Sequence, residues 1–215
     1  MSGVVARPDR ESSEATTVVV LAHGAGNDMN NPFLVAVHEG LASEGFTTVR
    51  FNFPYKERGG RAPDPAPVLE KCYRNVLAEL RRDLSPRRLF IGGKSLGGRM
   101  ASHLAAAGEE ADGLVFLGYP LHPAGRPEQM RTAHLPRIRT PMLFFAGTRD
   151  ALCDLERLRA TLGDLPAPTT LHVIADGDHS FNVLKRTARS AEAVRAEIIS
   201  AGARWIRERG KAEKS

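Results

Sequence analysis

The chain has 215 residues, 42% of them hydrophobic and 26% charged, with a formal net charge of +5. This composition fits one globular domain that can bury a core without staples, and it excludes low-complexity and fibrous classes. The arginines are scattered with no interleaved aromatic residues, so a solvated basic surface is expected rather than a nucleic-acid partner.

Residues 1–16 are polar and are read as a flexible N-terminal segment; residues 17–210 are read as a single domain. The stretch Met1–Thr17 lacks the apolar core of a signal peptide, and no apolar run approaches the roughly 20 residues that span a bilayer. Cys72 and Cys153 lie far apart and lack metal-ligand spacing, so reduced thiols in a cytoplasmic protein with no membrane partner are expected.

From residue 18 onward, short apolar runs alternate with longer amphipathic stretches. The runs Val18–Ala22, Thr47–Phe51, Leu89–Ile91, Leu114–Leu117, Met142–Phe145 and Thr170–Ile174 read as strands, most of them buried on both faces. Asn31 followed by Pro32 is a helix-start signature and opens a helix over Pro32–Ser43. Further helices are expected over Val68–Arg82, Gly98–Ala107, Ala151–Leu162 and residues 187–209. Two basic clusters stand out: Lys56, Arg58 and Arg61 in one loop, and Arg207, Arg209, Lys211 and Lys214 at a C-terminal helix end. The alternation predicts an α/β fold with a mostly parallel sheet, whose sites lie beyond the carboxyl ends of the strands.

The residues able to do chemistry fall at those ends. Gly93-Lys94-Ser95-Leu96-Gly97 matches the G-x-S-x-G nucleophile elbow, with a strand before it and a helix after it. The string alone is a moderate signal, because a glycine-rich turn with a solvent-facing serine would look the same. Its placement makes Ser95 the candidate nucleophile, on a tight turn where side chains at 93 and 97 would collide. His23-Gly24-Ala25-Gly26 follows the first strong run. Its glycines can present the Ala25 N–H to a developing oxyanion, alongside the N–H of Leu96, and His23 is expected to be structural.

The order nucleophile, acid, base then selects the other two residues. Asp150 ends the fifth run and is preferred to Asp154, which is expected one turn into a helix. His179 lies on the loop after the sixth run. His172 falls inside a strand, His38 and His103 fall on helices, and His122 and His134 precede the acid. Asp176 and Asp178 could be read with His179 as metal ligands, but no complementary cluster supports them, and solvated loop acids are expected. Ser95, Asp150 and His179 together need no cofactor or metal and act on a small-molecule acyl substrate.

Five segments carry a family resemblance: Leu21-Ala22-His23-Gly24-Ala25-Gly26, Gly92 to Met100, Gly118-Tyr119-Pro120-Leu121-His122-Pro123, Gly147-Thr148-Arg149-Asp150, and Gly177-Asp178-His179-Ser180-Phe181. With them the chain resembles a compact α/β-hydrolase of the dienelactone-hydrolase-like group. The Lys94 elbow and Leu121-His122-Pro123 are similar to bacterial hydrolases related to the testis-expressed and NSL-complex-subunit proteins of animals. The resemblance implies the α/β-hydrolase fold with helices on both faces of the sheet. Dienelactone hydrolases proper carry cysteine at the elbow, so Ser95 argues against carrying over their substrate. Only the short, basic Tyr119–Arg139 segment stands where larger members insert a cap, which implies an open site that His122 and Tyr55 could line. Two other readings stay open: a hydrolase-like scaffold that binds partners without chemistry, and an acyltransferase.

Overall fold

The computed structural model describes residues 2–8, 14, 16–184 and 187–209. A seven-stranded sheet runs in the order β1-β3-β2-β4-β5-β6-β7. Its strands are β1 (Gly3–Ala6), β2 (Thr17–Ala22), β3 (Thr47–Phe51), β4 (Arg88–Lys94), β5 (Gly113–Leu117), β6 (Met142–Gly147) and β7 (Thr169–Ile174). All neighbours pair in parallel except β1, which lies antiparallel to β3 with Val4 opposite Arg50. The helices are α1 (Pro32–Ser43), α2 (Pro54–Glu57), α3 (Ala66–Leu84), α4 (Leu96–Ala106), α5 (Leu155–Gly163) and α6 (Ala191–Arg209).

The central strands are buried from end to end, as their unbroken apolar runs predict. Side chains alternate between the two faces, so each strand feeds two cores. Val18, Val20, Leu114, Phe116 and Phe144 pack beneath α3, α4 and α5. Val19, Leu21, Phe90, Val115 and Phe145 pack beneath α1 and α6. The result is a layer of helices on each side of the sheet and no large cap. Where a cap would stand, Leu121, Leu135 and Ile138 are fully buried, so the Tyr119–Arg139 segment lies down on the α4 side of the domain.

The predicted start of α1 is realised: Asn31 Oδ1 accepts the N–H groups of Phe33 and Leu34 at 3.2 and 3.3 Å. Three expectations need correction. Gly3–Ala6, inside the segment read as flexible, is an edge strand; its alternating half-buried pattern was too short to register. Residues 9–13 and 15 of that segment, and the C-terminal lysines, lie outside the described residues. The helix expected from Ala151 begins at Leu155, because the carboxylate of Asp154 caps it by accepting the Arg157 N–H at 2.9 Å. Asp154 is therefore a helix cap rather than a residue inside the helix. The short α2 was not foreseen.

Strand order reverses between β2 and β4. One connection leaves β2 towards β3, and the next crosses back to β4. Such a switch point opens a crevice at the carboxyl ends of the two strands. Tyr73 of α3 is fully buried below it and clamps β4: its hydroxyl donates to Gly92 O at 2.8 Å and accepts the Gly92 N–H at 3.0 Å.

Candidate active site

Ser95 sits at the carboxyl end of β4, at the switch point. Its φ of 49° and ψ of −110° form a strained turn for a residue bearing a Cβ. The Ser95 N–H is tied to Leu117 O on β5 at 3.2 Å, and Ser95 O accepts the Arg99 N–H at 3.0 Å to start α4. The flanking glycines are required, though not because they would meet each other. A Cβ on Gly93 or on Gly97 would lie 2.2 Å from Ala22 O, so both are excluded by the backbone of β2. The turn holds the serine half-exposed, and its hydroxyl does not cap the helix it opens.

The Ser95 hydroxyl instead meets an imidazole. His179 Nε2 lies 2.9 Å from Ser95 Oγ, and His179 Nδ1 lies 2.7 Å from Asp150 Oδ2. The Asp150 side chain is fully buried, and its second oxygen accepts the Leu152 N–H at 2.8 Å. A carboxylate can only accept, so Nδ1 donates to it. The lone pair on Nε2 then faces the serine. Three residues distant in sequence thus form one hydrogen-bonded line.

Local structure fixes the loop that carries His179. Asp178 Oδ1 accepts the N–H groups of Ser180 and Asn182 at 2.7 and 2.9 Å, and the Asp178 N–H donates to Asn182 O at 3.0 Å. Asp178 is therefore a loop organiser rather than a solvated acid. From below, the ammonium of Lys94 donates to the carbonyl of His179 at 2.6 Å and lies over the Phe181 ring. Burial, only partly offset by the fields of Asp150 and Asp178, holds Lys94 well below its usual value, at about 8. Gly118, at φ 72°, allows this approach: a Cβ there would lie 3.0 Å from Lys94 Nζ and 3.1 Å from His179 O.

The loop after β2 faces the serine from the other strand. A Cβ on Gly24 would stand 3.6 Å from Ser95 Cβ. His23 is fully buried: its Nε2 accepts the Phe53 N–H at 3.1 Å, so Nδ1 donates to Gly24 O at 2.9 Å. Desolvation lowers its pKa and keeps it neutral, in keeping with the structural role expected of it. Leu96 is the first residue of α4, and its N–H has no intrahelical acceptor. Among the described residues, neither it nor the exposed Ala25 N–H has a partner.

A family model described as an alpha/beta hydrolase domain matches residues 15–207. The chain belongs to that family. Its fold is also that of solved serine hydrolases and esterases. A lidless α/β serine hydrolase from Xanthomonas campestris is 22% identical, with 94% of this chain and 88% of that one covered and a TM-score of 0.72. An α/β serine hydrolase homologue from Coxiella burnetii is 18% identical over 93% and 90%, with a TM-score of 0.74. A dienelactone hydrolase from Anabaena variabilis is 22% identical over 96% and 90%, with a TM-score of 0.70.

Most of the other histidines of this α/β-hydrolase have ring partners elsewhere. His172 pairs with Glu197 and His103 with Glu70, while His122, nearly buried, contacts Pro123 O. Tyr55 is also buried, beneath the His23–Gly26 loop. A second Ser–His contact joins Ser102 Oγ to His134 Nε2 at 2.7 Å. Its polarity is wrong for a base: the single Ser102 hydroxyl hydrogen goes to Arg99 O at 2.7 Å, so His134 donates to the serine. Ser102 is also fully buried, out of reach of a substrate. The sequence marked Lys94 only as part of the elbow motif and Asp178 as a solvated loop acid; no pattern signalled that both would hold the His179 loop.

Proposed function

We propose that the protein is a serine hydrolase that cleaves an acyl ester, thioester or related carbonyl compound through an acyl-enzyme. Ser95 is the nucleophile, His179 the base and Asp150 the residue that orients it. One observation carries this reading: His179 stands between Ser95 and Asp150 within hydrogen-bond reach of both. As Ser95 Oγ attacks the carbonyl carbon, its proton passes to Nε2. The imidazolium is stabilised by Asp150, which also holds the ring in the tautomer that accepts at Nε2.

The electron pair displaced onto the carbonyl oxygen meets the free N–H groups of Leu96 and Ala25, each worth about 3–4 kcal/mol in such sites. The tetrahedral centre then collapses. The bond to the leaving group breaks, and the leaving group takes the proton from His179. Water next gives a proton to Nε2 as it attacks the acyl carbon, and Ser95 departs with that proton restored.

Both cysteines are buried thiols outside any disulfide, which fits a cytoplasmic setting, and no helix among the described residues is long and apolar enough to cross a membrane. The Lys94 elbow and the Leu121-His122-Pro123 segment support kinship with the bacterial relatives of the testis-expressed and NSL-complex-subunit proteins. Labelling with a fluorophosphonate probe tests the activity. Wild type is expected to form a covalent adduct at Ser95 and to hydrolyse short 4-nitrophenyl esters, while Ser95→Ala does neither. A wild-type protein that takes no label and cleaves no ester would favour the scaffold reading.

A further inference from the structure

The loop between β2 and α1 carries the Ala25 N–H, yet few of its own backbone bonds give it shape. Gly24 O accepts the Asn27 N–H at 3.3 Å, which closes a turn with Ala25 and Gly26 at its tip, and Asp28 O accepts the Asn31 N–H at 3.2 Å. Gly26 stands in the left-handed region at φ 75°, and a Cβ there would meet nothing within 4 Å. An exposed turn with open space beside it keeps one conformation only through bonds to the scaffold that surrounds it.

Those bonds come from the end of β3. Arg50 Nη1 donates to Met29 O at 2.8 Å and to Asn30 Oδ1 at 2.7 Å, and Asn52 Oδ1 accepts the Met29 N–H at 2.8 Å. Side chains two apart along a strand share a face, so one face of this strand takes both polar groups of the Met29 backbone. Asn52 is fixed in turn, its N–H donating to Ser2 O at 3.0 Å. The hold passes towards the tip through Asn31, whose side-chain amide donates to Asn27 Oδ1 at 3.1 Å, and through the Asn30 N–H, which donates to Asp28 Oδ1 at 2.8 Å. At the other end of the turn, His23 Nδ1 donates to Gly24 O at 2.9 Å.

Arg50 is a costly brace. It is 9% exposed, and among the described residues it makes no ion pair. Its Nε is buried with no acceptor. A buried cation that faces only neutral oxygens lowers stability rather than raising it. Its contribution therefore lies in the loop it holds.

We propose that Arg50 and Asn52 are positioning residues for the oxyanion donor: by pinning Met29 they set the turn that aims the Ala25 N–H at the developing oxyanion. This deepens the hydrolase reading and rests on it for the role in turnover, whereas the bracing of the loop stands apart from that reading. A donor displaced by about 1 Å stabilises the transition state less and leaves ground-state binding intact, so the loss falls on kcat.

Arg50→Met and Asn52→Leu, each checked by thermal melting, are compared with wild type on 4-nitrophenyl butyrate. The second variant tests the same face of the strand without touching the buried charge. Each is expected to lower kcat by about tenfold or more with KM changed less than roughly twofold, and to leave the pH profile set by His179 unmoved. Arg50→Lys keeps a donor for Met29 O and is expected to recover part of the loss. Wild-type kcat in both folded variants overturns the proposal, as does a loss confined to KM. In parallel, amide hydrogen exchange of Asn27 is followed by NMR in wild type and in both variants. Neither substitution touches the Asn27–Gly24 bond, so exchange faster by about fivefold or more, with the β2 amides unchanged, reports a loosened turn. Equal rates overturn the proposal whatever the activity. If wild type neither takes a fluorophosphonate label nor cleaves the ester, the hydrolase reading fails, and faster Asn27 exchange in the variants still supports the bracing.

Discussion

The Ser95 hydroxyl is one of several on α4 and its flanks, and its partner's polarity distinguishes it. His179 presents a lone pair to Ser95, because Asp150 takes the proton on the other nitrogen. At the Ser102 pair the same two residue types point their dipoles the opposite way. Replacing Ser95 or His179 by alanine is expected to lower turnover by about 10⁵–10⁶-fold, the loss seen when a triad acts as one unit. Asp150→Asn is expected to cost about 10⁴-fold, because the amide favours the wrong tautomer. Steady-state rates on one ester check all three, and a loss below tenfold for any of them would contradict its assigned role. Lys94→Met probes a residue one step removed. Without the ammonium the His179 carbonyl loses its donor, so kcat should fall with KM little changed, and Lys94→Arg should restore part of the loss.

Strand ends and turns set the positions that these groups occupy. Six of the seven strands were legible as apolar or β-branched runs; the central ones, covered on both faces, need apolar residues at nearly every position. The elbow was legible too, since glycine leaves its mark wherever backbone approaches backbone. Gly97→Ala would drive a Cβ to 2.2 Å from Ala22 O. With only backbone to displace, it is expected to destabilise by about 1–3 kcal/mol and to misplace Ser95. Chemical denaturation and fluorophosphonate labelling report the two effects separately. Less legible was the loop between β7 and α6. Asp178 reads as one acid among several, yet it ties down two N–H groups beside His179. Asp178→Ala should lower kcat more than melting temperature, because it frees the loop while leaving the core intact. The edge strand β1 and the single turn of α2 were missed, being too short for periodicity to show.

Across the whole molecule, buried titratable groups couple stability to pH. His38 is nearly fully buried on α1, and its Nδ1 has no partner. Desolvation, with Arg50 nearby, lowers its pKa to about 4 from 6.5. The unfolded chain therefore binds a proton between those values while the folded chain does not. The resulting stability is present above pH 6.5 and is lost as the pH falls to about 4, an effect of about 3 kcal/mol. Urea midpoints taken across that window should fall less steeply for His38→Gln than for wild type. Lys94, held at about 8 against 10.5, has the same sign in an alkaline window: its contribution grows from pH 8 to 10.5. In Lys94→Met that increment should vanish.

Local patterns were enough to specify the layered α/β architecture, the elbow, and which serine, acid and histidine to compare. Periodicity, glycine spacing and chain order are properties of neighbouring residues, and a linear string records them. Convergence is not such a property. That the β7–α6 loop would lie over Lys94, that Asp154 would cap a helix while Asp150 turned inward, and that Tyr119 would join Ser102 to the Arg131 carbonyl all depend on how the strands are ordered in the sheet. Those contacts join residues far apart in the chain, and only the packed fold brings them within bonding distance.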